Sequence, residues 1–228
     1  MATLLYIDTA GPDALIGISK GQEWVGIRES KVANAHAQFV QVAVKELLTS
    51  HSLKVTELDA IVVTLGPGSY TGLRVGLASA KGLAYALQKP LIGLSTLRLL
   101  AHKATQTLHS SNPSSIQIFS MLDAKRMEVF GGVYDSNLNE IQAEQSFEIN
   151  TPLMETLLSK GPLVCIGSGV AKTRDLVQND KVQYLDDNYT IDNLKALAQA
   201  KWEAEQFENV AYVSPRYLKE YYFKPLVK

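Results

Sequence analysis

Leu65-Gly66-Pro67-Gly68-Ser69-Tyr70-Thr71-Gly72-Leu73-Arg74-Val75-Gly76 carries more information than any other stretch of the 228 residues. The β-branched run Ile61-Val62-Val63 leads into a Gly-Pro-Gly turn. The residues after it read as a helix with small side chains every four positions, at Gly72, Gly76, Ala80 and Ala84. Strand, tight loop and helix N-terminus in that order can cradle an anion, because free N–H groups and the helix dipole point the same way. The established phosphate loops do not fit. A Walker loop places its second glycine five positions after the first, but Thr71 stands there from Gly66 and Leu73 from Gly68. The dinucleotide pattern G-x-G-x-x-G, started at Gly66, also meets Thr71 where it needs glycine. The turn therefore reads first as a strand-to-helix connection. The small-residue row is a separate signal. Glycine inside a helix costs roughly 1 kcal/mol against alanine, so two on one row predict a close approach, expected to be a second helix.

Working outward, Thr3 to Asp8, Ala14 to Ser19 and Glu23 to Arg28 read as three strands of a meander, with turns at Gly11-Pro12-Asp13 and Gly21-Gln22. A helix from Ala35 to about Ser50 follows. Then come a strand at Ile61 to Leu65, a helix at Thr71 to Leu87, a strand at Leu91 to Leu94 and a helix from Ser95 to about Leu108. Ser110-Ser111-Asn112-Pro113-Ser114-Ser115 reads as a linker. Beyond it, strands are expected at Ile116 to Leu122, Met127 to Tyr134 and about Gln142 to Ile149. A helix capped by Thr151 with Pro152 in its first turn comes next, then a strand at Leu163 to Ile166. Gly167-Ser168-Gly169 turns into a helix over Val170 to Gln178, and Ile191 to Phe207 is helical. The second half starts like the first, which suggests a shortened duplicate lobe without a visible sequence repeat. By pattern alone the class is α/β.

LGPGSYTGLRVGLASAKGLA resembles the central motif of the TsaB (YeaZ) family, partners in tRNA threonylcarbamoyladenosine modification. Asp8-Thr9 after the first strand, the helix from Ala35, Leu122-Asp123-Ala124-Lys125-Arg126-Met127-Glu128-Val129 and the closing Pro215-Arg216-Tyr217-Leu218-Lys219 fit the same pattern. Ala10, Tyr70 and Lys219 depart from it, where serine, phenylalanine and arginine are commoner. The resemblance is strong over roughly the first 135 residues and faint from there to residue 210. It implies a two-lobed, actin-like, ribonuclease H-like fold with mixed sheets: residues 1–109 as one lobe, 110–228 as a smaller one, and the last helix returning to the first. It also implies a non-catalytic scaffold that orders a catalytic TsaD-type paralogue, with a small TsaE-type ATPase as a further partner. The chain would be a homodimer when alone and would meet tRNA only through the complex. The alternative is an active ATP-dependent or peptidase-like member of the same superfamily.

In the first helix, Ala37, Val40, Ala43, Val44, Leu47 and Leu48 fill one apolar face, and Ala35, Phe39 and Val42 form a second stripe. A helix lying on its own sheet needs only one. The resemblance turns this second stripe, with Gly72, Arg74, Gly76, Ala80 and Ala84, into the expected partner surface. Arg74, one turn into its helix, opposes the dipole. A carboxylate or phosphate partner is therefore expected, with Asp8 or Asp59 as the internal alternatives. In the wider fold an acidic residue ending the first strand handles a metal-bound phosphate, so Asp8 and Thr9, with Asp123 opening the second lobe, are the nucleotide-binding candidates; the other reading of Asp8 is a capping or turn residue. The turn at Asp123 lacks the glycines that let backbone approach phosphate oxygens. No tightly bound cofactor is expected, only ATP or ADP with Mg shared at a partner interface. The catalytic paralogue holds metal with two histidines at i and i+4 spacing. Here Val40 stands four residues after His36, and His51, His102 and His109 make no such pair, so neither metal nor catalytic residues are expected.

Composition bounds the remainder. With 46% hydrophobic and 20% charged residues the chain is an ordinary globular sequence. Its 22 Lys and Arg against 23 Asp and Glu give no basic excess, which argues against tight nucleic-acid binding by the chain alone. The single cysteine, Cys165, sits in an apolar run and reads as a packing residue. No signal peptide or membrane-length run is seen, so a cytoplasmic location is expected.

Overall fold

The computed structural model describes residues 1–32, 36–108, 116–177 and 179–219. The linker reading at 110–115 and the first stripe residue, Ala35, lie outside them. The first sheet holds β1 (Thr3–Asp8), β2 (Ala14–Lys20), β3 (Glu23–Ser30), β4 (Ala60–Gly66) and β5 (Leu91–Ser95), in the order β3-β2-β1-β4-β5. The meander pairs antiparallel, and β4 and β5 add in parallel. The helices are α1 (His36–Ser50), α2 (Tyr70–Leu87) and α3 (Thr96–Thr105).

The second sheet holds β6 (Gln117–Asp123), β7 (Glu128–Tyr134), β8 (Glu140–Glu148), β9 (Leu163–Ile166) and β10 (Val182–Leu185), with α4 (Thr151–Ser159) and α5 (Ile191–Glu203). Its order, β10-β9-β6-β7-β8, is that of the first sheet read from the other edge, with the same senses. The duplication extends to the turns. Both fourth strands end in a Gly-X-Gly whose first glycine has a positive φ, +103° at Gly66 and +105° at Gly167, a backbone only glycine adopts without strain.

Both faces of the first sheet are covered, so its central strands β1 and β4 are buried at every position and mostly apolar. Leu5, Ile7, Ile61 and Val63 meet α1 and α2 on one side, while Leu4, Tyr6, Val62 and Ile92 meet Leu99 of α3 and Leu194 and Ala198 of α5 on the other. Each such aliphatic side chain removed from water contributes about 1.5–3 kcal/mol. Helix α3 is apolar on two sides. Leu99 faces the first sheet, while Leu97, Leu100, Ala101 and Ala104 pack on Ile118, Tyr134, Val164 and Ile166 of the second.

The elements differ from the sequence reading at five places, one being α5, which ends at Glu203 and not at Phe207. Asn150, not Thr151, caps α4, its side chain accepting from Leu153 N at 2.9 Å. The helix expected over 170–178 is a single turn, Val170–Lys172. There the Thr173 hydroxyl bonds the Val170 carbonyl at 2.7 Å and competes with the helical ladder. Strand β10 was not anticipated, being four residues between polar runs, three half-buried and Gln183 exposed. Helix α3 ends at Thr105, where the Thr105 and Thr107 hydroxyls bond the His102 and Ala104 carbonyls.

Candidate functional site

The end of β1 is where the fold would hold a metal-bound phosphate. Asp8 is 6% exposed. Its Oδ1 accepts from Ala10 N at 3.0 Å and Thr64 Oγ1 at 2.7 Å, and its Oδ2 accepts from Tyr189 Oη at 2.9 Å. Burial and the facing Asp8 carboxylate push the Tyr189 phenol well above its usual range, so it stays a donor. Thr9 is fully buried, and its hydroxyl donates to the Gly72 carbonyl at 2.7 Å. Asp8 ties three segments of the chain together, and Thr9 anchors α2. Tyr189 was missed because it lies 181 residues from Asp8 in a polar run with no local signal.

Asp123 occupies the equivalent place at the end of β6. It is half exposed, and its Oδ1 accepts from Lys125 N at 2.6 Å and Lys172 Nζ at 2.8 Å. The Lys172 hydrogen bond, helped by the Lys125 N–H, holds its carboxyl below the usual carboxylate range. The turn takes positive φ at Lys125 and Arg126 rather than at glycines. No group of three or more His, Cys, Asp or Glu among the described residues is arranged to hold a metal ion.

The glycine-rich stretch is closed by packing. A Cβ at Gly68 would collide with the Ala10 carbonyl, and Ser69 N donates to that same oxygen at 2.8 Å. The Ser69 hydroxyl caps α2 by accepting from Gly72 N at 3.2 Å. Gly72, Gly76, Ala80 and Ala84 are all buried. A Cβ at Gly76 would collide with Thr9 Oγ1 and touch Ile7 at 3.5 Å. At Gly76 the close approach is to the chain's own first strand and the residue after it, Ile7 and Thr9. All four small residues belong to the expected partner surface, and all four are buried within the isolated chain.

Two other members of that set remain outside. Val42 is 54% exposed, and Phe39 is half-buried against the core of the first sheet. The polar seam between α1 and α2 is closed by Gln41 Nε2 donating to Ser79 Oγ at 3.1 Å. Arg74 does not pair with Asp8 or Asp59. Its guanidinium carbon lies 4.0 Å from the Tyr70 ring centre, and Nε donates to Tyr217 Oη at 2.9 Å. Stacking on a tyrosine face offsets a cation's position at the positive end of a helix.

A second polar node joins the sheets. The side chain of Glu144, 5% exposed, accepts from Ser95 Oγ at the end of β5, from Tyr134 Oη of β7 at 2.7 Å and from Arg216 Nη1 at 3.1 Å. Arg216 belongs to a closing segment that lies on the first sheet, where its own N donates to the Leu65 carbonyl at 2.8 Å. Sequence reading singled out Pro215 to Lys219 but not Glu144.

Two mixed five-stranded sheets of one topology, with an acidic residue ending the first strand of each, define a two-lobed protein of the actin-like, ribonuclease H-like class. Residues 18–224 match the family described as TsaD: tRNA N6-adenosine threonylcarbamoyltransferase, and the chain belongs to that family. Among curated relatives it is 34% identical over 143 residues to an uncharacterized protein of Mycobacterium tuberculosis, covering 62% of this chain and 63% of that one. It is 31% identical over 147 residues to the tRNA threonylcarbamoyladenosine biosynthesis protein TsaB of Escherichia coli, covering 62% and 61%. To TsaB of Bacillus subtilis it is 28% identical over 183 residues, covering 78% and 76%. The match thus spans under two thirds of the length of the first two relatives. YeaZ from Pseudomonas aeruginosa has the same fold, with a TM-score of 0.77 at 23% identity, covering 96% of this chain and all of that one. Its place in the family is beside the TsaB (YeaZ) proteins.

Proposed function

We propose that this chain acts in tRNA threonylcarbamoyladenosine biosynthesis as a non-catalytic partner of a TsaD-type transferase, ordering that enzyme through contact with α1 and α2. The observation that carries the reading is the closed site at Asp8. Where an enzyme of this fold needs a free carboxylate, the chain supplies Tyr189, Thr64 and a backbone N–H to it. The exposed apolar Val42, with Phe39 behind it, supports a partner surface on α1. In this reading the chain also dimerises through that face when alone and meets tRNA only within the complex. A TsaE-type ATPase joins the assembly, and any ATP or ADP with Mg sits at a partner junction without help from Asp8 or Thr9.

The test is reconstitution of tRNA modification from the purified chain, a TsaD-type enzyme, a TsaE-type ATPase, tRNA and ATP. Activity should require mixing, with the chain inert alone. ATP turnover or peptide cleavage by the chain by itself would favour the enzymatic alternative. Val42→Asp should abolish association and lower modification at least tenfold, since a buried, unpaired carboxylate at an interface costs more than about 1.4 kcal/mol. At concentrations where the wild type is monomeric its thermal midpoint should be unchanged, because Val42 then already faces water. Normal association of Val42→Asp would remove α1 from the interface.

A further inference from the structure

Between the two sheets lies a cavity of about 240 Å³ whose walls come from four parts of the chain. Ser95 and Arg98 enter from the start of α3, Glu140 and Glu144 from β8, Lys201 from α5 and Arg216 from the closing segment. It is separate from the Asp8 cluster and from the α1 face.

The charges on this wall are unevenly satisfied. Glu144 and Arg216 neutralise each other, with Ser95 and Tyr134 completing the carboxylate's hydrogen bonds. Glu140 is exposed at the rim, where water screens it. Lys201 Nζ donates to the Gly93 carbonyl at 2.8 Å and is ion-paired with Glu208 at 3.8 Å, beyond hydrogen-bond reach. Two of its three donors are thus unused by described residues. Burial draws the Lys201 ammonium below the usual lysine range; Glu208 opposes this, while the charges of Arg216 and Arg98 add to it.

Arg98 is the exceptional residue. The residue is half-buried on the cavity wall, and its guanidinium makes no hydrogen bond or ion pair with any described residue. It also sits in the first turn of α3, where its own N–H donates to the Ser95 cap at 3.3 Å. That is the positive end of the helix dipole, where a cation is disfavoured. A cation that is half desolvated, unpaired and at that helix end is locally unfavourable, and a bound anion would reverse all three.

We propose that this interlobe cavity is a binding site for a small oxyanion, a phosphate or carboxylate group held by the planar fork of Arg98 and the ammonium of Lys201. The fork matches either group through two parallel N–H···O bonds. The Glu144–Arg216 pair forms the closed rear wall. Because the donors come from both α3 and α5 while the rear wall carries β8, the anion fastens the two sheets together.

The experiment titrates the full chain with inorganic phosphate, and separately with acetate, at constant ionic strength by calorimetry. The Nε–H resonance of Arg98 is followed in parallel. Saturable binding of phosphate that shifts this resonance is expected, with affinity reduced about tenfold or more in Arg98→Gln and in Lys201→Gln and unchanged in the remote control Lys160→Gln. The same pattern for acetate alone assigns the site to carboxylates. Absence of saturable binding by both anions overturns the proposal, as does binding that ignores both cavity substitutions. Arg98 makes no side-chain hydrogen bond to lose, so its variant keeps the fold; should it unfold, Lys201→Gln and the Arg98 resonance of the wild type decide the outcome.

Discussion

Gly76 is glycine because Thr9 occupies the space its Cβ would need. Gly76→Leu should therefore destabilise the isolated chain, by about 1–3 kcal/mol for over-packing at a close contact, read as a lower urea midpoint. Wild-type stability would show that α2 can lift off β1 without cost. Tyr189 is the companion case. Tyr189→Phe keeps the ring but removes one donor from a buried carboxylate, so a loss of about 1–3 kcal/mol is expected, again from denaturant unfolding. A neutral result would mean that water replaces the phenol at Asp8. Neither role is visible in the local sequence: glycine in a helix announces a close neighbour without saying which, and a lone tyrosine announces nothing.

Helices α3 and α5 meet through His102 and Asn193. The Oδ1 of Asn193 accepts from both N and Oγ1 of Thr190, at 2.7 and 3.0 Å. Its amide nitrogen therefore faces His102 Nδ1 at 3.0 Å, and Nδ1 must accept, which requires a neutral ring. Burial lowers the His102 pKa below the usual 6.5. The unfolded chain consequently takes up this proton first as pH falls, and stability contributed by the neutral ring is lost from about pH 6.5 down towards the depressed folded value. The residue is half-buried, so solvent screening keeps the effect modest. Thermal midpoints at pH 7.5 and 5.5 should differ more in wild type than in His102→Gln, where the amide supplies an acceptor without titrating. Equal differences would show that His102 does not report on this contact.

Glu144 links β5, β7 and the closing segment through three donors, so it acts on the assembly of the lobes rather than on either sheet. Glu144→Ala should cost about 1–3 kcal/mol. It should also raise amide exchange preferentially at the start of α3 and around Arg216, leaving the centre of each sheet protected. Uniform loss of protection would mean that the lobes unfold as one unit. No helix among the described residues is long and apolar enough to cross a membrane.

Strand and helix periods, the Gly-Pro-Gly turn and the motif around it were enough to give the α/β class, the first eight elements in order and the family resemblance, because these are properties of neighbouring residues. The direction each surface faces was not. The stripe of Gly72, Gly76, Ala80 and Ala84 has the same spacing whether it meets a partner or β1, and at Gly76 it is Thr9, more than sixty residues away, that settles it. Asp8 reads as a turn cap or a nucleotide ligand, and its bond to Tyr189 is not visible until that residue arrives from beyond the second sheet; Arg74 finds tyrosines where a carboxylate or phosphate was expected. Local patterning encodes which residues become helix or strand. Packing both faces of a buried sheet brings distant segments together, and that non-local choice determines which polar groups remain available.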